Sequence, residues 1–345
     1  MSRRLLLRSE CRTTERRTPL IPADAGTLID QGVAVLVERS AQRCFADELY
    51  DQAGCSLVPT GWWVEADPDV VVLGIKELPD EPAALHGRHI MFGHAFKGQD
   101  GAGELLGRFR RGGGTLLDLE YLTDEQGRRL VAFGYWAGFV GATLGVLQRA
   151  GELRSPLTPT DRPALESALR SAGRSLGGQA ALVIGALGRV GRGACDALEL
   201  AGLPITRWDL ADTEELDRAA VLAHEILVNA VLATAPMESF VRVEDARDAA
   251  RELRVIADVT CDVTSALNVL PVNDRLTTWA DPVRRITEQP VPLDVIAIDN
   301  LPSLVPREAS EDFSATLVRL LPGLWDADPS WRRTADRFSA AVAAL

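Results

Sequence analysis

Residues 180–198, AALVIGALGRVGRGACDAL, set an apolar burst, a glycine-spaced turn and an amphipathic stretch in direct succession. A buried strand that turns sharply into a helix fits that order of residues. Gly185, Gly188 and Gly191 form GxxGxxG, one residue longer in its first gap than the GxGxxG form. Such glycines let the backbone turn tightly and approach a pyrophosphate, whose charge then sits at a helix N-terminus. Asp209 lies 24 residues after Gly185, at the end of the next strand-like run. A carboxylate there accepts hydrogen bonds from a ribose hydroxyl pair and repels a 2′-phosphate, so the pattern reads as dinucleotide binding with NAD preferred over NADP. Arg189 and Arg207 are near enough in sequence to offset part of that repulsion. The competing reading is a domain of the same shape that holds no cofactor.

The same alternation runs through the rest of the chain. In the first third, strand-like pieces fall at residues 5–7, 33–37, 70–75, 89–92 and 115–119. Pro22 is placed to open a helix and Gly32 to close it, and a second helix fits residues 103–111 before the Gly112–Gly114 turn. Residues 154–163 read as a connector or surface loop, after which strand-like runs recur at 181–184, 205–208, 226–231, 255–258 and 295–298. Strands alternating with helices predict mainly parallel sheets wrapped by helices, and 345 residues predict two such domains.

Charge and cysteine usage exclude several classes. The net charge of −12 has the wrong sign for a phosphate backbone, so no nucleic-acid partner is expected. Cys11, Cys44, Cys55, Cys195 and Cys261 are scattered with no CxxC pair, so neither a disulfide framework nor a metal site is expected. The first ten residues have only three consecutive apolar side chains, too few for a signal-peptide core. Residues 130–147 are uncharged and long enough to be tested as a membrane span, but Gly134, Gly138, Gly141 and Gly145 suit a closely packed buried helix. A cytoplasmic protein with no membrane partner is the resulting expectation.

Among 37 basic residues only Lys76 and Lys97 are lysines. Both follow strand-like runs, as do His94 and Glu120, while Glu15, Arg16 and Arg17 follow the first run. In a parallel sheet these positions share the carboxyl edge, where ligands bind. Arginine does not release a proton near neutral pH, whereas lysine and histidine do when their surroundings bring them into range. Two proton carriers beside a nicotinamide suit oxidation of a secondary amine to an imine, followed by hydrolysis. A coding bias towards arginine that leaves two lysines by chance is the competing explanation.

Blocks carrying these residues resemble one family along most of the chain. They are TERRTPLIP (14–22), GIKELP (74–79), FGHAFKGQ (92–99), LLDLEYLTDEQGRRLVAFGYWAGFVGATLGV (116–146), IGALGRVG (184–191), RWDL (207–210), DVTCD (258–262) and IDNLPSLVPREASEDFS (298–314). The family is lysine-forming saccharopine dehydrogenase, related to alanine dehydrogenase and transhydrogenase. The resemblance implies an NAD-dependent, reversible cleavage of saccharopine to L-lysine and 2-oxoglutarate, small-molecule substrates acted on by a monomer. It implies two Rossmann-like domains with an inter-domain active-site cleft: residues 1–131 with 309–345 for substrate and catalysis, and 132–308 for NAD. By position, Lys76 matches the base that takes the amine proton, and His94 the acid–base group for water addition. Lys97 and Glu15 match a charge-tuning ion pair, Glu77 and Glu120 neighbouring carboxylates, and Arg17 and Arg129 the guanidiniums that hold substrate carboxylates. Gly185, Gly188, Arg189, Gly191, Asp209 and Asp299 match the cofactor side. Asn300 stands where the family block is expected to carry histidine. An opine-type dehydrogenase with another amino acid–keto acid pair, or a non-catalytic NAD(H) sensor, would share many of these features.

Overall fold

A computed structural model describes residues 3–96 and 101–345, which divide into two compact units. The first comprises Met1–Ala132 and Pro306–Leu345, the second Phe133–Val305.

The first unit is built on β1 (Arg4–Leu7), α1 (Pro22–Asp30), β2 (Ala34–Glu38), α2 (Asp47–Gln52), β3 (Ser56–Val58), β4 (Val71–Leu73), β5 (Arg88–Met91), α3 (Ala102–Gly112) and β6 (Thr115–Asp118). All six strands are parallel, in the order β3-β2-β1-β4-β5-β6. Strand order therefore reverses between β1 and β4, which opens a crevice at their carboxyl ends. Leu5, Leu6 and Leu7 are fully buried because β1 lies inside the sheet with both faces covered. Pro22 opens α1 with the φ a first helical turn needs, and Gly32 follows its end at φ +80°.

The second unit contains α4 (Gly134–Arg149), α5 (Arg162–Leu176), β7 (Ala181–Ile184), α6 (Arg189–Leu200), β8 (Ile205–Trp208), α7 (Leu210–Thr213), α8 (Arg218–Leu222), β9 (Ile226–Asn229), β10 (Val255–Asp258), β11 (Arg284–Thr287) and β12 (Leu293–Ile296). Its sheet runs β11-β12-β10-β9-β7-β8 and is parallel except for β11, with the reversal between β7 and β9. The glycines of 130–147 belong to α4, which packs backbone to backbone on α6. A Cβ at Gly138 would lie 1.8 Å from the Val190 carbonyl oxygen, and one at Gly193 1.9 Å from that of Tyr135. Among the described residues no helix is long and apolar enough to cross a membrane.

Two helices, α9 (Pro306–Leu320) and α10 (Pro329–Ala343), return to the first unit. Phe338 of α10 meets Phe109 edge to face, and Thr334 donates to the Asp118 carbonyl at 3.0 Å. The expected strands and helices are present with ends displaced by a residue or two. The connector expected at 154–163 is two residues too long, because Asp161 accepts from the Ala164 amide at 2.9 Å and starts α5 at Arg162. Strands β3 (SLV) and β11 (RRIT), outside the strand-like runs expected from the sequence, are partly exposed and hold at most two apolar residues in a row.

Candidate active site

The chain leaves β1 through Arg8–Arg17 and β4 through Gly74–Glu77, on either side of the first switch point. Glu15 and Arg17 form a buried pair: the guanidinium donates to the carboxylate at 2.8 and 2.6 Å, and the Arg17 amide adds a third bond at 3.0 Å. Burial pushes the Glu15 carboxyl up, but Arg17 and, more weakly, the Lys76 ammonium overcome this and hold it at about 2. Lys76 is half-buried. Glu77 is gripped by Arg12 at 2.9 and 3.1 Å. Burial raises its pKa, and Arg12 and Lys76 outweigh that and lower it. Lys76 thus lies in the field of two carboxylates, those of Glu15 and Glu77.

The ends of β5 and β6 bring a second group together. His94 adopts φ +49°, a left-handed conformation that a non-glycine residue holds only where its surroundings impose it. Its ring stacks near Phe92 at 6.4 Å between centroids. Its Nδ1 lies 3.8 Å from Glu120 Oε2, while Glu120 Oε1 accepts from Arg129 at 2.8 Å. The Glu120 side chain is only 12% exposed, against 57% for His94 and 38% for Arg129, so a covered carboxylate lies between an accessible imidazole and an accessible guanidinium. Asp118 caps the turn that carries Glu120, accepting from its amide at 2.8 Å. Burial, with the Glu120 charge assisting, pushes Asp118 up to about 6. Lys97 lies outside the described residues.

At the second switch point the loop is shaped by absent side chains. Gly185 has φ +85°, and a Cβ on Gly191 would lie 2.1 Å from the Gly185 carbonyl oxygen. Gly188 is the N-cap of α6, and Arg189 is its first helical residue. Asp209 immediately follows β8, and its carboxylate accepts from the Leu187 amide at 2.9 Å and the Leu210 amide at 2.8 Å. It therefore pins the glycine loop and still has lone pairs for a ribose. Arg207 is bonded to Glu199 at 2.5 Å, which reduces the offset it was expected to provide. Asp299 follows β12 at the same carboxyl edge. Asn300 has φ +74° and precedes the short 3₁₀ turn Leu301–Leu304, a conformation asparagine tolerates better than most side chains.

Sequence reasoning singled out the residues at the strand ends but missed those that hold them: Arg8, Glu10, Arg12 and Asp118. It also missed buried Asn229 and Asp258, joined at 2.9 Å across β9 and β10. Glu10, Arg12 and Asp118 stood two to five residues from a chosen position and Arg8 seven, while Asn229 and Asp258 are far from any and are marked only as polar side chains at the ends of apolar runs.

Comparison with known proteins identifies the family and the fold. Residues 6–140 match the family model described as alanine dehydrogenase/PNT, N-terminal domain. The NAD-dependent, L-lysine-forming saccharopine dehydrogenase of Neurospora crassa is 40% identical over 99% of this chain and 97% of its own. The Schizosaccharomyces pombe enzyme of the same name is 38% identical over 99% of both. An L-alanine dehydrogenase structure superposes with a TM-score of 0.70 at 18% identity, covering 97% of this chain and 93% of its own, which shows a shared fold. The chain belongs to the NAD-dependent, L-lysine-forming saccharopine dehydrogenase family.

Proposed function

We propose that this chain catalyses the reversible oxidative deamination of saccharopine to L-lysine and 2-oxoglutarate with NAD. The observation that carries the reading is end-to-end similarity to enzymes of that name, in a chain that keeps Lys76 and His94 beyond neighbouring parallel strands. The glycine cradle suits the cofactor, because a Cβ at Gly191 would fill the space in which the loop closes on itself. Gly185, Gly188 and Gly191 let a pyrophosphate reach the N-terminus of α6, with Arg189 in its first turn, and Asp209 and Asp299 are the proposed acceptors for ribose hydroxyls. Bound NAD supplies the hydride acceptor.

Saccharopine joins the lysine side chain to a glutarate carbon through a secondary amine. Lys76 takes the proton from that nitrogen as the neighbouring C–H bond is oxidised to an imine. Water then adds to the imine carbon. His94 takes one proton from the water and delivers it to nitrogen to give the carbinolamine, then relays the hydroxyl proton to nitrogen as the C–N bond breaks, leaving the primary amine and the keto acid. Glu120 places a carboxylate oxygen 3.8 Å from the imidazole Nδ1, beside the group that carries these protons. Arg129 and Arg17 are the proposed carboxylate holders. Arg129 is the more accessible, while Arg17 is tied bidentately to Glu15. Glu77 lines the same region, and Glu15 with Lys97 sets its charge.

In this reading the enzyme acts as a cytoplasmic monomer, for which its five free cysteines suit a reducing compartment. NADH formation with saccharopine, compared with other N-carboxyalkyl amino acids, tests the assignment. Saccharopine should be the preferred substrate, and no turnover of it would sink the reading. The reverse reaction, with a panel of amines and keto acids, gives the same discrimination from the other side. Cell fractionation and sedimentation check the compartment and the assembly state.

A further inference from the structure

Beneath Lys76 lies a second buried ion pair, Arg8–Glu10, whose side chains are 1% and 5% exposed and 3.3 Å apart. Glu10 uses one oxygen for the Ile75 amide, at 2.7 Å, and the other for the Lys76 amide, at 3.0 Å. Arg8 donates to the carbonyls of Lys76 and Glu77, the latter at 3.2 Å, and to that of Ser9 at 3.0 Å. The backbone of Lys76 is therefore gripped on both sides, its N–H by an anion and its C=O by a cation. Gly74 makes room for this: a Cβ there would lie 2.4 Å from Arg8 Nε, in a guanidinium too fully bonded to move cheaply. The Arg8 amide also donates to the Leu73 carbonyl at 3.0 Å, so the gripping group is itself anchored to β4.

We infer that the Arg8–Glu10 pair, with Gly74, is a positioning device that fixes the backbone from which Lys76 projects. A pair kept only for stability is a poor use of two buried charges, because apolar residues of similar volume often serve as well or better. What this pair adds is direction, since charge-assisted bonds to successive peptide groups hold a side chain's origin to within a fraction of an ångström. The inference rests on Lys76 being the proton acceptor proposed above, so its test needs a readout that does not depend on turnover.

The chain supplies one. With only two lysines in the sequence, reductive ¹³C-methylation labels Lys76, Lys97 and the amino terminus, and Lys97→Arg assigns the resonances. In Glu10→Gln the carboxamide presents an NH₂ to one of the two amides, and the Lys76 resonance should shift or broaden while that of Lys97 stays in place. In parallel, Glu10→Gln and Gly74→Ala should each lower kcat with saccharopine by roughly tenfold to a hundredfold, leaving its KM and the NADH Kd within about twofold. In a Lys76→Met background the same substitutions should cost less than about twofold, because the group they position is gone. Losses that multiply in that background, or an unmoved Lys76 resonance, would overturn the inference. If the wild-type chain does not oxidise saccharopine, the proposed activity fails while the resonance still decides the clamp. Should Glu10→Gln not fold, Glu10→Asp and Gly74→Ala take its place; if none of the three folds, the pair is a stability element and the inference falls.

Discussion

At the β1/β4 switch point the loops are dense with charge: Arg8, Glu10, Arg12, Glu15, Arg17, Lys76 and Glu77 all follow two strands. At the β7/β9 switch point the loop after β7 runs Gly185-Ala186-Leu187-Gly188, and it is shaped by close backbone packing. The two crevices share a strand-order logic but use opposite materials. Proton chemistry needs side chains whose pKa values can be set by neighbours, so the first crevice stacks ion pairs around a lysine. Anion binding needs backbone N–H groups brought close, so the second crevice removes side chains. A substitution should therefore affect chemistry at the first and cofactor affinity at the second.

Lys76→Met gives the largest test of that division. It should lower kcat with saccharopine by about 10²–10⁴-fold while NADH affinity, read by fluorescence titration, stays near wild type. Parallel loss of both would break the comparison. Gly191→Ala tests the other side: the added Cβ meets the Gly185 carbonyl at 2.1 Å and forces the loop open. Overpacking of about 1–3 kcal/mol should appear as roughly 10–100-fold weaker NADH binding, with kcat at saturating cofactor little changed.

Asp209→Ala should act on choice of cofactor. Losing the carboxylate removes both repulsion of a 2′-phosphate and the bonds to the Leu187 and Leu210 amides, so the preference for NAD over NADP should narrow by roughly tenfold. An unchanged ratio of kcat/KM values would move the ribose contact elsewhere.

The smallest expected signal is the pH dependence of stability. Glu15 is more acidic in the folded chain, at about 2, than its ordinary value of 4.5. A carboxyl with a depressed folded pKa stabilises the native state above its unfolded pKa, and that contribution fades as pH falls from about 4.5 towards 2. Glu15→Gln should flatten this acid limb in urea-melt midpoints. It should also lower the neutral plateau, because Arg17 is left buried without its carboxylate. A limb that persists unchanged would assign the acid sensitivity to other groups.

Much of this was legible before any coordinates. Short apolar runs located most strands because buried parallel strands must be apolar on both faces, and Gly185, Gly188 and Gly191 announced a strand–turn–helix because few other residues tolerate that path. Lys76, His94 and Glu120 stood out because each follows such a run, which is where a parallel sheet exposes functional groups. Partnership was not legible. The sequence places Glu10 65 residues from Ile75 and Glu120 nine from Arg129, and nothing local says which carboxylate meets which donor. Those pairings arise when β4 inserts beside β1 and the β5 and β6 ends align, so strand order decides them. Composition and periodicity determined the kind of fold and the residues offered at its edges. Tertiary structure alone decided which charges are buried together, and burial gives those charges their force.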